Sequence, residues 1–118
     1  MFKKVYSDAI EDMLQACADI KKAVDGITFG EFEADMFRYR AVERLFEILG
    51  EAANRIPKEL QEKYCDIAWK NIVGMRNIII HTYERVDVST LWGAAKKDLP
   101  RLGQSLNKML LEISKDER

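Results

Sequence analysis

Apolar residues recur every three or four positions along most of the chain, and this spacing constrains the fold more than any other feature. Over residues 2–25 the repeat places an apolar stripe on one side of an amphipathic helix and leaves aspartate and lysine on the other. The stripe consists of Ile10, Met13, Leu14, Cys17, Ile20 and Val24. No segment alternates apolar and polar residues as a half-buried strand does. The pattern predicts an all-α fold.

A second long helix is predicted after a short turn. Gly26 can take the left-handed conformation that ends the first helix, and Thr28 with Glu31 forms a capping box for the next. From there the second helix runs as one element to about Arg55. Its apolar face consists of Met36, Val42, Leu45, Phe46, Leu49, Ala52 and Ala53.

Cap signals also divide the second half of the chain. Pro57 suits the first turn of a short helix that ends at Tyr64. Asp66 is a candidate N-cap for a third long helix that starts near Ile67, and Asp87 can cap the last helix.

The third long helix is apolar on more than one side, which predicts a central position or an oligomer interface. Its apolar residues are Ile67, Trp69, Ile72, Val73, Met75, Ile78, Ile79 and Ile80. Gly74 lies inside this helix, where glycine costs stability, so we expect another helix to approach closely there. In the last helix, Pro100 should kink or restart the helix near Asp98.

These elements predict a single domain, residues 1–118, built as an antiparallel four-to-five-helix up-and-down bundle that forms a dimer. The formal net charge of −1 argues against a generally basic protein that coats nucleic acid. No apolar run exceeds three residues, so we expect no membrane span and a cytoplasmic protein. Cys17 and Cys65 match no metal or redox spacing and are expected to be buried free thiols.

An acidic ridge occupies one face of the second helix. Glu43, Glu47 and Glu51 are spaced by four residues and could hold a cation or form a solvated helix face. No second acidic cluster faces the ridge in the sequence, which favours the solvated face. The sequence predicts neither a metal nor a cofactor.

The segment Met75–Tyr83 contains the one histidine of the chain. His81 follows three isoleucines, with Arg76 five residues before it and Tyr83 two residues after it. An RNA-cleaving site needs a group that moves a proton near neutral pH and a fixed cation for the phosphoryl oxygens. Histidine and arginine supply these two functions. The alternative is a buried helix whose polar ends simply have hydrogen-bond partners.

A straight helix cannot bring these three side chains to one phosphate. Arg76 and His81 differ by about 140° around the axis and by roughly 7.5 Å along it. Arg76 and Tyr83 share a face but lie about 10.5 Å apart in rise. Either the helix unwinds near His81, or a second copy of the chain completes a composite site.

Arg76, His81 and Tyr83 spell R-x-x-x-x-H-x-Y, which resembles the signature of the HepT type of the HEPN superfamily. The flanking sequence is similar to the same family in order and spacing over most of the chain. The segments that carry the resemblance are Arg40–Arg44, Gly50–Ala53, Trp69, Gly74–Asn77, Val86-Asp87, Leu91-Trp92 and Leu99–Leu102. The N-terminal segment and the tail after Met109 carry little family signal.

The resemblance implies a small all-helical dimer that acts as a metal-independent endoribonuclease toxin. Its partner would be an MntA-type nucleotidyltransferase antitoxin that transfers AMP to the motif tyrosine. Arg76 and His81 would then be catalytic and Tyr83 the AMP acceptor. Asn77 would orient the helix end or the phosphate, and a structural amide role stays open.

Two other functions stay open at this point. The chain could be a non-catalytic subunit that binds a nucleotide or nucleic acid for an associated nucleotidyltransferase, with Arg76 and His81 as anion ligands. It could also be a purely structural helical adaptor.

Overall fold

The computed structural model describes residues 2–81 and 86–116, and no strand occurs in either range. The helices are α1 (Phe2–Val24), α2 (Phe29–Ala34), α3 (Met36–Asn54), α4 (Lys58–Lys63), α5 (Trp69–His81), α6 (Val88–Gly93) and α7 (Leu99–Asp116). The all-α prediction is therefore confirmed. None of these helices is long and apolar enough to span a membrane.

The long helices run in alternating directions. At one end of the bundle Arg55 Nη2 donates to Asp12 Oδ2 at 2.6 Å, and near the other Arg38 Nη1 donates to the Ala23 carbonyl at 2.9 Å. These two contacts make α3 antiparallel to α1. Since α4 connects α3 to α5 at the Arg55 end, α5 returns toward the other end, and α6 and α7 then complete an up-and-down bundle.

The hydrophobic core lies where α1 packs against α3 and α7. Its largest fully buried side chains come from both halves of the chain, as the helical periodicity predicts. They include Ile10, Met13, Ile20, Phe32, Leu49, Leu91, Leu106 and Met109. Helix α5 packs mainly against α3 and contributes one buried side chain, Trp69.

The second long helix is not one element, and this prediction was wrong. It breaks at Asp35, whose φ of −108° and ψ of 89° separate α2 from α3. The Asp35 side chain accepts from the Arg38 backbone N–H and so caps α3. The break lets Phe32 bury completely while Met36, assigned to the apolar face, is 47% exposed.

Three predicted cap signals are confirmed. Gly26 has a φ of +76° at the end of α1. Thr28 and Glu31 form the complete capping box, and the backbone N–H of Thr28 lowers the pKa of the Glu31 carboxyl. Asp87 caps α6, and the Ser89 hydroxyl that donates to it lowers its pKa.

The irregularity predicted at Pro100 takes the form of a single π-helical turn, Ala94–Asp98, between α6 and α7. Proline has no N–H to donate to the carbonyl of Lys96, and its ring would press against that carbonyl. The helix therefore widens, and the Leu99 N–H reaches the Ala94 carbonyl five residues back.

The approach to α5 differs from the prediction. The helix begins at Trp69, two residues later than expected, so Asp66 lies too far upstream to be its N-cap. Trp69 Nε1 donates to the Tyr64 carbonyl at 3.1 Å, which ties the start of α5 to the end of α4. Cys17 is buried as predicted, whereas Cys65 in this turn is exposed, so the prediction of two buried thiols was half wrong.

Candidate functional site on helix α5

Helix α5 carries three of the four predicted site residues. Arg76, Asn77 and His81 all lie within one continuous helix that extends through His81. The helix therefore does not unwind between Arg76 and His81, so these two side chains diverge around its axis within one chain. Tyr83 lies outside the described residues.

Gly50 on α3 provides the space in which Arg76 lies. A Cβ atom built on Gly50 would stand 2.2 Å from Arg76 Cβ, 2.9 Å from Arg76 Cγ and 3.2 Å from the Ile72 carbonyl oxygen. No ordinary van der Waals contact is that short. The root of the Arg76 side chain thus packs directly on the backbone of α3.

Within the single chain, the close helix contact predicted at Gly74 occurs at Gly50 instead. A Cβ on Gly74 would meet nothing within 4 Å in the described part of the chain. Glycine inside a helix costs about 0.5–1 kcal/mol relative to alanine, and for Gly50 the contact with α5 offsets that cost. A glycine inside a helix indicates that another helix packs closely against it. Gly50 and Gly74 both lie inside helices, so the sequence alone does not show which of them makes this contact.

The guanidinium of Arg76 is only partly satisfied. Its Nη1 donates to Asn77 Oδ1 at 3.0 Å, whereas its Nε is buried and has no hydrogen-bond partner among the described residues. A buried donor without an acceptor costs about 1–3 kcal/mol. Arg76 thus keeps unused hydrogen-bonding capacity, and Asn77 directs its guanidinium around the side of α5.

Asn77 also connects Arg76 with His81 around the helix. Asn77 lies about 100° and His81 about 140° from Arg76 around the axis of α5. Asn77 and His81 are four residues apart, so they are neighbours on successive turns. The Arg76–Asn77 hydrogen bond therefore carries the guanidinium toward the side of α5 on which His81 is exposed.

The face of α5 opposite Arg76 is uncovered and carries the exposed Ile78 among polar residues. Gly74 and Ile78 each lie about 160° from Arg76, close to the direction of His81. Ile78 is 55% exposed. The single chain does not show the central position, one of the two predicted for this helix, because Ile78 faces outward; the other, an oligomer interface, stays a prediction. His81 shares that uncovered side with Gly74 and Ile78.

The acidic ridge on α3 is paired with arginines of the same helix. Arg40 Nη1 lies 3.7 Å from Glu43, and Arg44 Nη1 lies 3.1 Å from Glu47 and 3.8 Å from Glu51. Within residues 2–81 and 86–116, no three His, Cys, Asp or Glu side chains group in a way that could hold a metal ion. The ridge is an ion-paired helix face in this structure.

A cleft of about 380 Å³ opens between α5 and α7. Its lining includes Phe46, Leu49, Ile72 and Met75, with Lys97 and Arg101 among the charged residues. Neither Arg76 nor His81 lines this cleft. The predicted site is consequently a surface of α5 outside this cleft.

Comparison with known proteins places most of the bundle in one family. Residues 13–109 match the model of the family described as "Ribonuclease HepT-like". A provisionally named RNase of Caldanaerobacter subterraneus is 38% identical over 101 residues, which cover 86% of this chain and 90% of that protein. A probable ribonuclease HepT of Thermococcus cleftensis is 35% identical over 107 residues, which cover 91% and 97%.

A provisionally named RNase of Methanocaldococcus jannaschii is 36% identical over 107 residues, covering 90% of this chain and 88% of that protein. No solved structure gives a significant match. The family match covers α3, which contains Gly50, and α5, which contains Arg76, Asn77 and His81. This chain belongs to the HepT-like ribonuclease family.

Proposed function

We propose that this protein is a metal-independent endoribonuclease and the toxin of a HepT/MntA-type toxin–antitoxin module. Membership of the HepT-like family and relatives that are named as ribonucleases support the activity. One observation supports this site above all: Asn77, one helical turn from the exposed His81, accepts a hydrogen bond from the under-satisfied guanidinium of Arg76. These groups supply a cation for phosphate and a proton carrier for catalysis.

The proposed reaction is internal transesterification of RNA. The 2′-oxygen attacks the adjacent phosphorus, the P–O5′ bond breaks, and the products end in a 2′,3′-cyclic phosphate and a 5′-hydroxyl. One His81 accepts the 2′-hydroxyl proton, and its counterpart across the dimer protonates the leaving 5′-oxygen. Arg76 stabilises the charge that develops on the phosphoryl oxygens.

The dimer that this mechanism needs would form through the uncovered side of α5. Packing Gly74 and Ile78 against their copies around a two-fold axis would cover the exposed apolar surface of Ile78. The same contact would bring both His81 side chains to one cleft, since His81 lies on that side of the helix. A stable monomer at micromolar concentration in sedimentation experiments would contradict this arrangement.

Regulation of the toxin would act on Tyr83. In our proposal an MntA-type nucleotidyltransferase transfers AMP to its hydroxyl, two residues beyond His81 in the sequence. The added phosphate would compete with RNA for the positive charge of Arg76, and the adenosine would obstruct the cleft. Since the net charge is −1, we expect a short exposed RNA segment as the substrate rather than a long duplex.

RNA cleavage by the purified protein in the presence of a chelator tests the proposed activity. His81→Ala and Arg76→Ala should each reduce the cleavage rate at least about a hundredfold, while Lys108→Ala, an exposed residue of α7, should retain it. Thermal midpoints should change little, because His81 is exposed and Arg76→Ala removes a buried donor without a partner.

Two outcomes would contradict the proposal. Tight nucleotide binding without cleavage would favour the non-catalytic subunit of a nucleotidyltransferase complex. Loss of folding in proportion to loss of activity would return Arg76 and His81 to a structural role.

A further inference from the structure

We propose that Gly50 is a positioning residue for Arg76: the missing side chain on α3 sets where the guanidinium lies. This inference rests on the proposed function, in which Arg76 binds the reacting phosphate. Gly50 itself would touch neither RNA nor the reacting atoms, because it is buried beneath Arg76 at the contact of α3 with α5.

The space around Gly50 leaves no room for any side chain. The nearest atoms to an added Cβ are Cβ and Cγ of Arg76, at 2.2 and 2.9 Å, and these atoms begin the side chain rather than end it. They cannot swing aside without moving α5. Restoring the 2.2 Å separation to 3.4 Å, the lower limit of ordinary contact, requires α3 and α5 to separate by at least 1.2 Å.

This requirement distinguishes Gly50 from the glycines inside the other long helices. Gly74 in α5 and Gly103 in α7 would each meet nothing within 4 Å if a Cβ were added. A helical glycine with open space around it gains backbone rigidity on replacement by alanine. Only at Gly50, among these three, does the glycine hold a site residue in place.

A shift of α5 away from α3 would carry Arg76 and Asn77 together and would uncover the side of Arg76 that α3 buries. The Arg76 Nη1 to Asn77 Oδ1 hydrogen bond is 3.0 Å long, and the Nε of Arg76 is buried. Moving the root of the side chain by more than 1 Å displaces the guanidinium and opens Nε to water. Misplacing a catalytic group by about 1 Å reduces a rate roughly a hundredfold.

A double-mutant cycle on RNA cleavage tests the inference. Gly50→Ala should lower kcat by about a hundredfold, whereas the matched variant Gly103→Ala should keep wild-type activity. Because Gly50 acts through Arg76, the double variant Gly50→Ala/Arg76→Ala should be no slower than Arg76→Ala. Full activity of Gly50→Ala would overturn the inference. So would a double variant whose loss of activity equals the product of the losses in Gly50→Ala and Arg76→Ala.

A measurement on the wild-type protein covers the case in which Gly50→Ala does not fold. The Nε–H of Arg76, identified in ¹⁵N NMR spectra by its loss in Arg76→Lys, should exchange with water much more slowly than the Nε–H of the exposed Arg40. Equally fast exchange would overturn the inference. If wild type does not cleave RNA, the proposed function is refuted. The exchange rates would still show whether the Nε–H of Arg76 is buried where Arg76 packs on Gly50.

Discussion

The uncovered side of α5 leads to a quantitative prediction for Ile78. Its side chain is 55% exposed, so a dimer through this face would bury about half of it on each copy. Full burial of an isoleucine contributes about 1.5–3 kcal/mol, and half of that is about 1 kcal/mol per copy. Two copies contribute about 2 kcal/mol, which corresponds to roughly a 30-fold change in the dissociation constant.

Ile78→Asp should therefore weaken the dimer by at least about 30-fold, and by more once two carboxylates lose water at the interface. Sedimentation velocity over a dilution series measures the effect, and RNA cleavage should fall as the dimer dissociates. Leu111→Asp is the matched control, because Leu111 is a comparably exposed apolar residue, 65% exposed, on α7.

The result that would refute this reasoning is specific. If Ile78→Asp dissociates no more readily than wild type, or if Leu111→Asp is the variant that dissociates, the dimer does not form through this side of α5. If Ile78→Asp becomes monomeric yet keeps full activity, the site is complete within one chain and the composite mechanism is wrong.

Three further predictions concern other residues. Incubation with ATP, magnesium and the cognate nucleotidyltransferase should add an adenylyl mass to wild type but not to Tyr83→Phe; equal gain in both would exclude Tyr83 as the acceptor. Cys65 is exposed, whereas Cys17 is buried and its pKa is raised to about 11 by that burial. Cys65 should therefore react rapidly with a thiol reagent, and Cys17 should react only when the protein unfolds. The hydrogen bond from the Thr28 backbone N–H lowers the pKa of Glu31 in the folded protein. The Glu31 carboxylate therefore stabilises the fold above pH 4.5, its ordinary pKa, and this stabilisation is lost as the pH falls below that value. Glu31→Gln should reduce the fall of the thermal midpoint in acid.

Local signals in the sequence were sufficient to predict most of the helical architecture. The Thr28–Glu31 capping box, Gly26 and the Asp87 cap depend on residues within one turn of each other, so the chain needs no distant contact to form them. The π-helical turn before Pro100 follows from the missing N–H of proline.

The features that escaped prediction depend on contacts between distant segments. The break at Asp35 places Phe32 beside Trp92, at a ring-centroid distance of 5.2 Å. The sequence around residue 35 does not indicate this contact, because Trp92 lies far away along the chain. Gly50 and Gly74 are alike in sequence, and the packing of α3 on α5 alone decides which one lies beneath another helix. The outward position of Ile78 likewise reflects where α5 lies in the bundle.

For the candidate site, the sequence selected candidate side chains but did not show how they are held. The R-x-x-x-x-H spacing selected Arg76 and His81, and helix geometry showed that they diverge by about 140°. The hydrogen bond from Arg76 to Asn77 and the burial of Nε depend on side-chain conformation and on α3, and neither is encoded in the local spacing.

The central claim is that Arg76 and His81 cleave RNA through its own 2′-hydroxyl, and the ends of the fragments test it most directly. Mass spectrometry should find 2′,3′-cyclic phosphate and 5′-hydroxyl ends after incubation with wild type and chelator. DNA of the same sequence should stay intact, and His81→Ala should give no such fragments. Fragments with 3′-hydroxyl and 5′-phosphate ends, or cleavage by His81→Ala at the wild-type rate, would contradict the account.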